Sequence, residues 1–113
     1  MHELSISESI LRTALETPGA SETNLRALTV KVGALSSVST ANLAYCMDIV
    51  LEQRGIRGVE VRIEKVPALA RCRCGHEYSA ESIFVGCPLC NGFDREIVEG
   101  QDVSLESIEV EDD

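Results

Sequence analysis

Aromatic residues are scarce in this 113-residue sequence: they make up 4% of it, and tryptophan is absent. A hydrophobic core must therefore be built from Leu, Ile, Val and Ala, and an apolar fraction of 44% is sufficient for that. No apolar run approaches the roughly 18 residues of a membrane span, and the first residues lack the basic-then-apolar pattern of a secretion signal. The sequence thus predicts a cytoplasmic protein of one domain with at most a small appended module, and no membrane partner.

Clustered basic residues are also missing. The net charge is −9, and residues 99–113 contain seven acids and no base. Residues 1–98 hold the other twelve acids and all ten bases, so this part of the chain is close to balanced. Nucleic-acid binding normally requires a basic stripe and aromatic stacking residues, so no nucleic-acid partner is expected. The acidic tail is interpreted as a solvated segment.

The spacing of apolar residues predicts two helices. Residues 5–8, Ser-Ile-Ser-Glu, have the form of a capping box, which predicts a first helix over residues 6–16. Residues 1–3 then lie outside this helix. A second apolar stripe begins after Ser39, a candidate N-cap, and ends before Gly55.

Three strands are predicted where apolar and polar residues alternate, over residues 28–33, 59–64 and 103–110. The order strand, helix, strand favours a parallel crossover between the first two strands. The apolar phase slips by one residue between Leu105 and Ile108, which predicts a β-bulge in the last strand. The expected fold class is α+β, with two helices packed on a three-stranded mixed sheet and a zinc-ribbon domain inserted before the last strand. The predicted division is an α+β domain of residues 1–67 and 97–113, and a ribbon of residues 68–96.

Four of the five cysteines fall in two short pairs within nineteen residues, Cys72-x-Cys74 and Cys87-Pro-Leu-Cys90. Two such pairs can place four thiolates at the corners of a tetrahedron, which is the geometry that Zn(II) prefers, so the pattern predicts a zinc ribbon. The fifth, Cys46, lies in the apolar stripe of the second helix and is interpreted as a small buried hydrophobe.

The first cysteine pair leaves the ligand set open. Because Cys72-x-Cys74 is one residue shorter than the usual C-x-x-C turn, His76 is an alternative to Cys72 as the fourth ligand. Four thiolates could also hold iron, since the softness of the ligands does not discriminate between the two metals. A redox dithiol formed by Cys87 and Cys90 alone is a further alternative.

The first three residues, Met-His-Glu, can chelate a metal ion. The amine of Met1, the amide nitrogen of His2 and the Nδ1 atom of the His2 imidazole form two unstrained chelate rings, and Glu3 can add its amide nitrogen or its carboxylate. Such a planar set of nitrogen ligands suits Ni(II) or Cu(II) better than Zn(II).

Several of these segments together resemble the HypA/HybF family of hydrogenase maturation factors, which carry nickel. The resemblance rests on M-H-E-L-S at the start, V-G-A-L-S at residues 32–36, the two cysteine pairs and S-I-E-V at residues 107–110. It implies nickel bound at the N-terminus, with His2 as the main ligand and Glu3 adjacent, and a structural zinc site. It also implies a HypB-type GTPase and the large subunit of NiFe hydrogenase as partners, with urease maturation proteins as further candidates.

The sequence therefore favours a nickel metallochaperone. An enzyme is not expected, because no Ser/His/Asp set, phosphate-binding loop or acidic pair is present, and His2 and His76 are the only histidines. Two alternatives remain: a zinc-ribbon protein-interaction module without metal transport, and a dithiol oxidoreductase.

Overall fold

The computed structural model describes residues 2–111, and for His2 it describes the backbone alone. Met1, Asp112 and Asp113 lie outside the described residues. The helices and strands follow one another as α1 (His2–Glu16), β1 (Leu25–Gly33), α2 (Thr40–Gln53), β2 (Glu60–Val66), β3 (Ala68–Cys72), β4 (Glu77–Ala80), β5 (Arg95–Glu99) and β6 (Val103–Val110).

The larger sheet has the strand order β2-β1-β6, with β1 parallel to β2 and antiparallel to β6. Both helices pack on one face of it, and their apolar side chains share a core with Leu28, Val30 and Val32 of β1. The predicted parallel crossover and the α+β class are therefore confirmed.

Helix α2 begins and ends where the sequence predicts. The Ser39 side chain caps its N-terminus by accepting a hydrogen bond from the backbone N–H of Asn42, at 3.2 Å. Cys46 is buried on the core face of this helix, which confirms its interpretation as an apolar residue. Buried on the same face are Leu43, Met47, Val50 and Leu51.

Helix α1 begins at His2, so its predicted start at residue 6 is wrong. Leu4 extends the apolar stripe by one turn and packs against the core, and Glu3 complements the positive end of the helix dipole. The Ser7 hydroxyl donates to the Glu3 carbonyl at 2.7 Å, a bond made within a continuous helix. Among the described residues the predicted capping box does not form, and His2 and Glu3 occupy the first helical turn instead of a free tag.

The predicted bulge in β6 is confirmed. Thr29 and Val30 of β1 face Ser107 and Leu105, so Glu106 is the extra residue on β6. The Glu106 carboxylate lies 3.0 Å from the Lys31 ammonium, and this hydrogen bond raises the pKa of Lys31.

The cysteine segment forms a second sheet with the antiparallel order β4-β3-β5. Apart from Tyr78, the buried residues of this unit are small. Leu35 of the larger unit and Ile97 pack against this small core, whose buried members are Ala68, Ala70, Cys72, Tyr78, Ala80 and Cys87.

The two sheets meet where β1 ends. Two hydrogen bonds of 2.9 Å join the segments there, from Gly33 N–H to the Asp102 carbonyl and from Leu35 N–H to the Gly100 carbonyl. There is no space for a side chain at this contact, because a Cβ atom added to Gly33 would overlap the Gly100 carbonyl. Hydrogen bonds and packing of the V-G-A-L-S segment thus connect the smaller sheet to the larger one.

The protein is elongated, with extents of 55 × 27 × 17 Å and a radius of gyration of 17.0 Å. A single compact body of this length would have a radius of gyration of about 13 Å. The domain limits stay a prediction, and the limit between residues 96 and 97 falls within β5, a strand of the smaller sheet. In the described residues, no helix is long and apolar enough to span a membrane.

Candidate metal centre

Cys72 and Cys74 lie on the tight turn between β3 and β4. The Cys72 N–H donates to the His76 carbonyl, and the Gly75 N–H donates to the Cys72 carbonyl, each at 2.8 Å. Residues 73–75 therefore form a three-residue hairpin loop, and Gly75 takes the left-handed conformation (φ +97°) that such a loop requires. This loop explains how a pair one residue shorter than C-x-x-C can direct both sulfur atoms to one site.

The second pair, Cys87 and Cys90, lies on a turn closed by backbone hydrogen bonds. Asn91 N–H donates to the Cys87 carbonyl at 2.7 Å, and Cys87 N–H donates to the Gly92 carbonyl at 2.9 Å. Asn91 has a positive φ of 60°, which asparagine tolerates better than most residues. The turn places both sulfur atoms opposite the β3–β4 hairpin.

The four sulfur atoms lie within 4.8 Å of one another. Cys72 Sγ is 3.4 Å from Cys90 Sγ, and Cys74 Sγ is 3.7 Å from Cys87 Sγ. Zinc–sulfur bonds of about 2.3 Å in a tetrahedron place the sulfurs about 3.8 Å apart, so this arrangement fits a zinc ion. Two of the four cysteines are buried and two are exposed, so the cluster lies at the edge of the small core.

Local hydrogen bonds and burial shift the pKa values of two of these thiols in opposite directions. Burial raises the pKa of Cys87, but backbone N–H groups of Cys90 and Leu89, together with the neighbouring thiols, lower it to about 7. For Cys72 a backbone hydrogen bond from Cys74 lowers the pKa, while burial and the Cys90 thiol raise it, with a net upward shift. Cys87 is therefore the more readily ionised of the two at neutral pH, and the thiolate is the form that binds metal.

His76 lies outside the sulfur cluster. Its ring is nearly parallel to that of Tyr78, with centroids 6.5 Å apart, while Cys72 supplies one of the four clustered sulfurs. Within residues 2–111, these four cysteines form the one group of three or more His, Cys, Asp or Glu side chains gathered closely enough to hold an ion. Geometry thus favours Cys72 over His76.

The other predicted metal ligands lie at the start of α1. Met1 and the side chain of His2 lie outside the described residues. The Glu3 carboxylate is 3.4 Å from the backbone N–H of Ser39, so it accepts a hydrogen bond at the N-terminus of α2. Sequence reasoning did not foresee this contact, because residues 3 and 39 are distant in the chain.

Sequence reasoning also missed the part played by residues 32–36. The Val-Gly-Ala-Leu-Ser motif contributed to the family resemblance without a structural role. In the structure, its Gly33 and Leu35 connect the sheet that carries α1 to the sheet that carries the cysteines. A glycine as the last residue of a strand was the one local signal for such a close approach.

Comparisons with known proteins agree with this architecture. Residues 1–110 match the protein family described as "Hydrogenase/urease nickel incorporation, metallochaperone, hypA". The hydrogenase maturation factor HypA of Methanocella arvoryzae is 36% identical over 98% of this chain and 99% of its own length. HypA of Crocosphaera subtropica is 31% identical over 99% of this chain and 97% of its own length.

The fold has a counterpart among solved structures. The solution structure of the Ni metallochaperone HypA from Helicobacter pylori superposes with a TM-score of 0.67, covering 96% of each chain at 18% identity. At that identity the likeness shows the shared fold. The family match over nearly the whole chain shows more: this protein belongs to the HypA family of nickel-incorporation metallochaperones for hydrogenase and urease.

Proposed function

We propose that this protein binds Ni(II) at its N-terminus and delivers it during the maturation of NiFe hydrogenase. The nickel ligands are the amine of Met1, the amide nitrogen and imidazole of His2, and Glu3. Membership of the HypA family is the observation that carries this proposal.

The helical start of α1 is compatible with nickel binding by backbone nitrogens. The first four N–H groups of a helix have no acceptor within the helix, so the amides of His2 and Glu3 remain available to a metal. Because the Glu3 carboxylate already accepts a hydrogen bond from Ser39, we assign the contribution of Glu3 to its amide nitrogen. Its side chain then anchors the first turn of α1 beside α2.

A resident Zn(II) ion is held, in this proposal, by Cys72, Cys74, Cys87 and Cys90. Four thiolates complete a tetrahedral shell and leave no open position for a substrate, as is typical of structural zinc sites. The proposed role of zinc is therefore to stabilise the ribbon, and no enzymatic activity is assigned to the protein.

The proposed partners follow from the family. A HypB-type GTPase exchanges nickel with this protein, the NiFe hydrogenase large subunit receives it, and urease maturation proteins are further candidate recipients. The proposed compartment is the cytoplasm, where closely spaced thiols stay reduced and available to zinc. The excess of acidic residues argues against a nucleic-acid partner.

Nickel titration of zinc-loaded wild type and His2→Ala tests the N-terminal site. We expect wild type to bind one nickel ion in addition to zinc, and His2→Ala to bind nickel at least about tenfold more weakly, because loss of an imidazole ligand costs more than loss of the groups that support it. Isothermal titration calorimetry measures the nickel affinity, and metal analysis measures the number of nickel and zinc ions per chain. His76→Ala removes the only other histidine and is the matched control, with unchanged nickel affinity expected.

Equal nickel affinity in wild type and His2→Ala would contradict the N-terminal site. Acetylation of the Met1 amine tests this ligand separately, because an acetylated nitrogen is a much poorer metal ligand than a free amine. Nickel binding that survives acetylation unchanged would exclude the Met1 amine as a ligand.

Nickel affinity is also expected to depend on pH. Protons compete with the metal for the Met1 amine and the His2 imidazole, so the affinity should fall as the pH is lowered from about 7.5 toward 6. Equilibrium dialysis at a series of pH values measures this. A constant affinity over that range would mean that neither group binds the ion.

The alternative function, a zinc-ribbon interaction module without metal transport, predicts no stoichiometric nickel site separate from zinc. The dithiol oxidoreductase predicts freely titratable Cys87 and Cys90 and no bound metal. Metal analysis distinguishes these alternatives from the proposal, and it also decides between zinc and iron in the cysteine site.

A further inference from the structure

Each turn of the cysteine cluster contributes one exposed and one buried thiol. Cys74 and Cys90 are exposed, whereas Cys72 and Cys87 are only 4% and 1% exposed. Each exposed sulfur touches the buried sulfur of the opposite turn: Cys90 Sγ lies 3.4 Å from Cys72 Sγ, and Cys74 Sγ lies 3.7 Å from Cys87 Sγ. An accessible thiol beside a second thiol with which it can form a disulfide is typical of redox-sensing cysteines.

The exposed side of the cluster is open to small molecules. A surface concavity of about 350 Å³ is lined by Cys72, Arg73, Cys74, Cys90, Gly92 and Asp94. Gly92 keeps the approach to Cys90 open, because a Cβ atom added to this glycine would lie 3.2 Å from Cys90 Sγ. Hydrogen peroxide is little larger than water, which occupies about 30 Å³ in the liquid, so it fits this space.

The exposed sulfur atoms are in their reactive form whenever the site binds zinc. A thiol that coordinates a metal ion is deprotonated, and the thiolate is the nucleophile in thiol oxidation. In the proposed zinc site, Cys74 and Cys90 therefore present thiolates to solvent. The fifth cysteine, Cys46, is 7% exposed on α2 and lies outside the cluster, so it is not expected to react.

We propose that the cluster is a peroxide-sensitive thiol–disulfide switch, in which oxidation joins Cys72 to Cys90 and Cys74 to Cys87. The inference rests on the proposed zinc site, because these four thiolates are its ligands. An exposed thiolate attacks one peroxide oxygen, the O–O bond breaks, and a sulfenic acid and hydroxide form. The buried thiolate of the opposite turn then attacks this sulfur, which forms the disulfide and releases a second hydroxide. Each disulfide thus transfers two electrons to one peroxide molecule.

The pairing between turns determines what happens to the ribbon. Two disulfides consume all four ligands, so the oxidised site cannot hold zinc. The same bonds connect the two turns in place of the metal, between residues 18 and 13 positions apart in the chain. Such cross-links restrict the unfolded chain, so the ribbon is expected to stay folded without metal. Reduction by a thiol returns the four ligands.

Treatment of the zinc-loaded protein with hydrogen peroxide tests the switch. We expect two equivalents of peroxide to release one zinc ion per chain, measured with a chromogenic zinc indicator, because each disulfide consumes one peroxide. The number of free thiols should fall from five to one. Cys46→Ala is the matched control, since it should release zinc at the same rate while its free thiols fall from four to none.

Disulfide mapping by mass spectrometry identifies which cysteines are joined. Trypsin cleaves after Arg73 and so separates the two cysteines of the first pair, and cleavage after Glu81 separates the first pair from the second. Peptide fragmentation before Pro88 separates the two cysteines of the second pair. We expect to recover the links Cys72–Cys90 and Cys74–Cys87.

The fold of the oxidised ribbon is an independent readout. Amide NMR spectra of the oxidised, zinc-free protein should retain the dispersed signals of the ribbon. Reduced protein that a chelator has stripped of zinc should lose them, because it has neither metal nor cross-links. Dithiothreitol with added zinc should restore five free thiols and one bound zinc ion per chain.

Several results would overturn the switch. A disulfide within one turn, Cys72 with Cys74 or Cys87 with Cys90, would contradict the proposed pairing, and so would sulfinic acid at an exposed cysteine without a disulfide. Loss of the ribbon signals on oxidation would contradict the retained fold. Zinc content before oxidation is a separate readout: its absence overturns the proposed zinc site, and the disulfide map of the same protein still decides the pairing.

Discussion

Replacing Cys87 with serine is expected to abolish stoichiometric zinc binding and to unfold the ribbon. The small core of this unit consists mainly of alanine and cysteine side chains, so apolar burial alone is insufficient to fold it. In the proposed zinc site, metal binding would supply the difference, since structural zinc sites contribute about 10–16 kcal/mol of apparent binding free energy. Zinc content of the purified variant, and loss of dispersed amide NMR signals from the ribbon, measure the effect.

The control for this prediction is Cys46→Ala. Cys46 is a cysteine of the same chain, but it is buried in α2 within the other core and outside the sulfur cluster. This variant should keep one zinc ion and a folded ribbon, with a modest loss of stability from the vacated volume. A Cys87→Ser protein that retains zinc at wild-type stoichiometry and affinity would contradict the four-cysteine site.

The second large effect is expected at Gly100, where alanine should lower the free energy of unfolding by about 3–5 kcal/mol. Its φ of +97° disfavours any side chain, and an added Cβ atom would overlap the Cα of Ala68 and lie 2.9 Å from its backbone nitrogen. Relief of this overlap requires Gly100 to move away from β3, which also disturbs the hydrogen bond that its carbonyl accepts from the Leu35 N–H. Urea unfolding of the zinc-loaded protein measures the loss.

Gly19→Ala separates backbone strain from lost space. Gly19 has a similar φ of +88°, but an added Cβ atom there meets nothing within 4 Å. The expected cost is about 1–2 kcal/mol, the strain of a left-handed conformation alone. Equal destabilisation by the two substitutions would show that the close contact of Gly100 with Ala68 contributes nothing.

The α+β part of the fold was largely predictable because its signals are local. Helix α2 has a capping serine followed by an apolar stripe, and both are visible in the sequence. The bulge in β6 is visible as a slip in apolar phase, which the pairing with β1 explains. The start of α1 was predicted wrongly because a serine followed three residues later by glutamate also occurs inside helices, and the contribution of Leu4 to the core was overlooked.

The sequence indicated which residues form the candidate metal site, but it did not indicate how they are arranged. Cysteine spacing indicated a four-sulfur site and left Cys72 and His76 as alternatives, and the hairpin loop with Gly75 favours Cys72 by placing its sulfur in the cluster. The ribbon strands were not predicted individually, because their buried positions are alanines with little apolar contrast. Contacts such as Gly33 with Gly100 join distant residues and have no local pattern.

The two ends of the ribbon insertion leave the larger sheet close together. Val66, where β2 ends, is paired with Gly33, and Val103, where β6 begins, is paired with Val32. Since β1 separates the two strands, these ends are about two strand spacings, or 10 Å, apart. A linker of about four residues spans that gap. We therefore expect that the ribbon can be excised to give a shorter chain, or grafted between strand ends of similar spacing in another sheet.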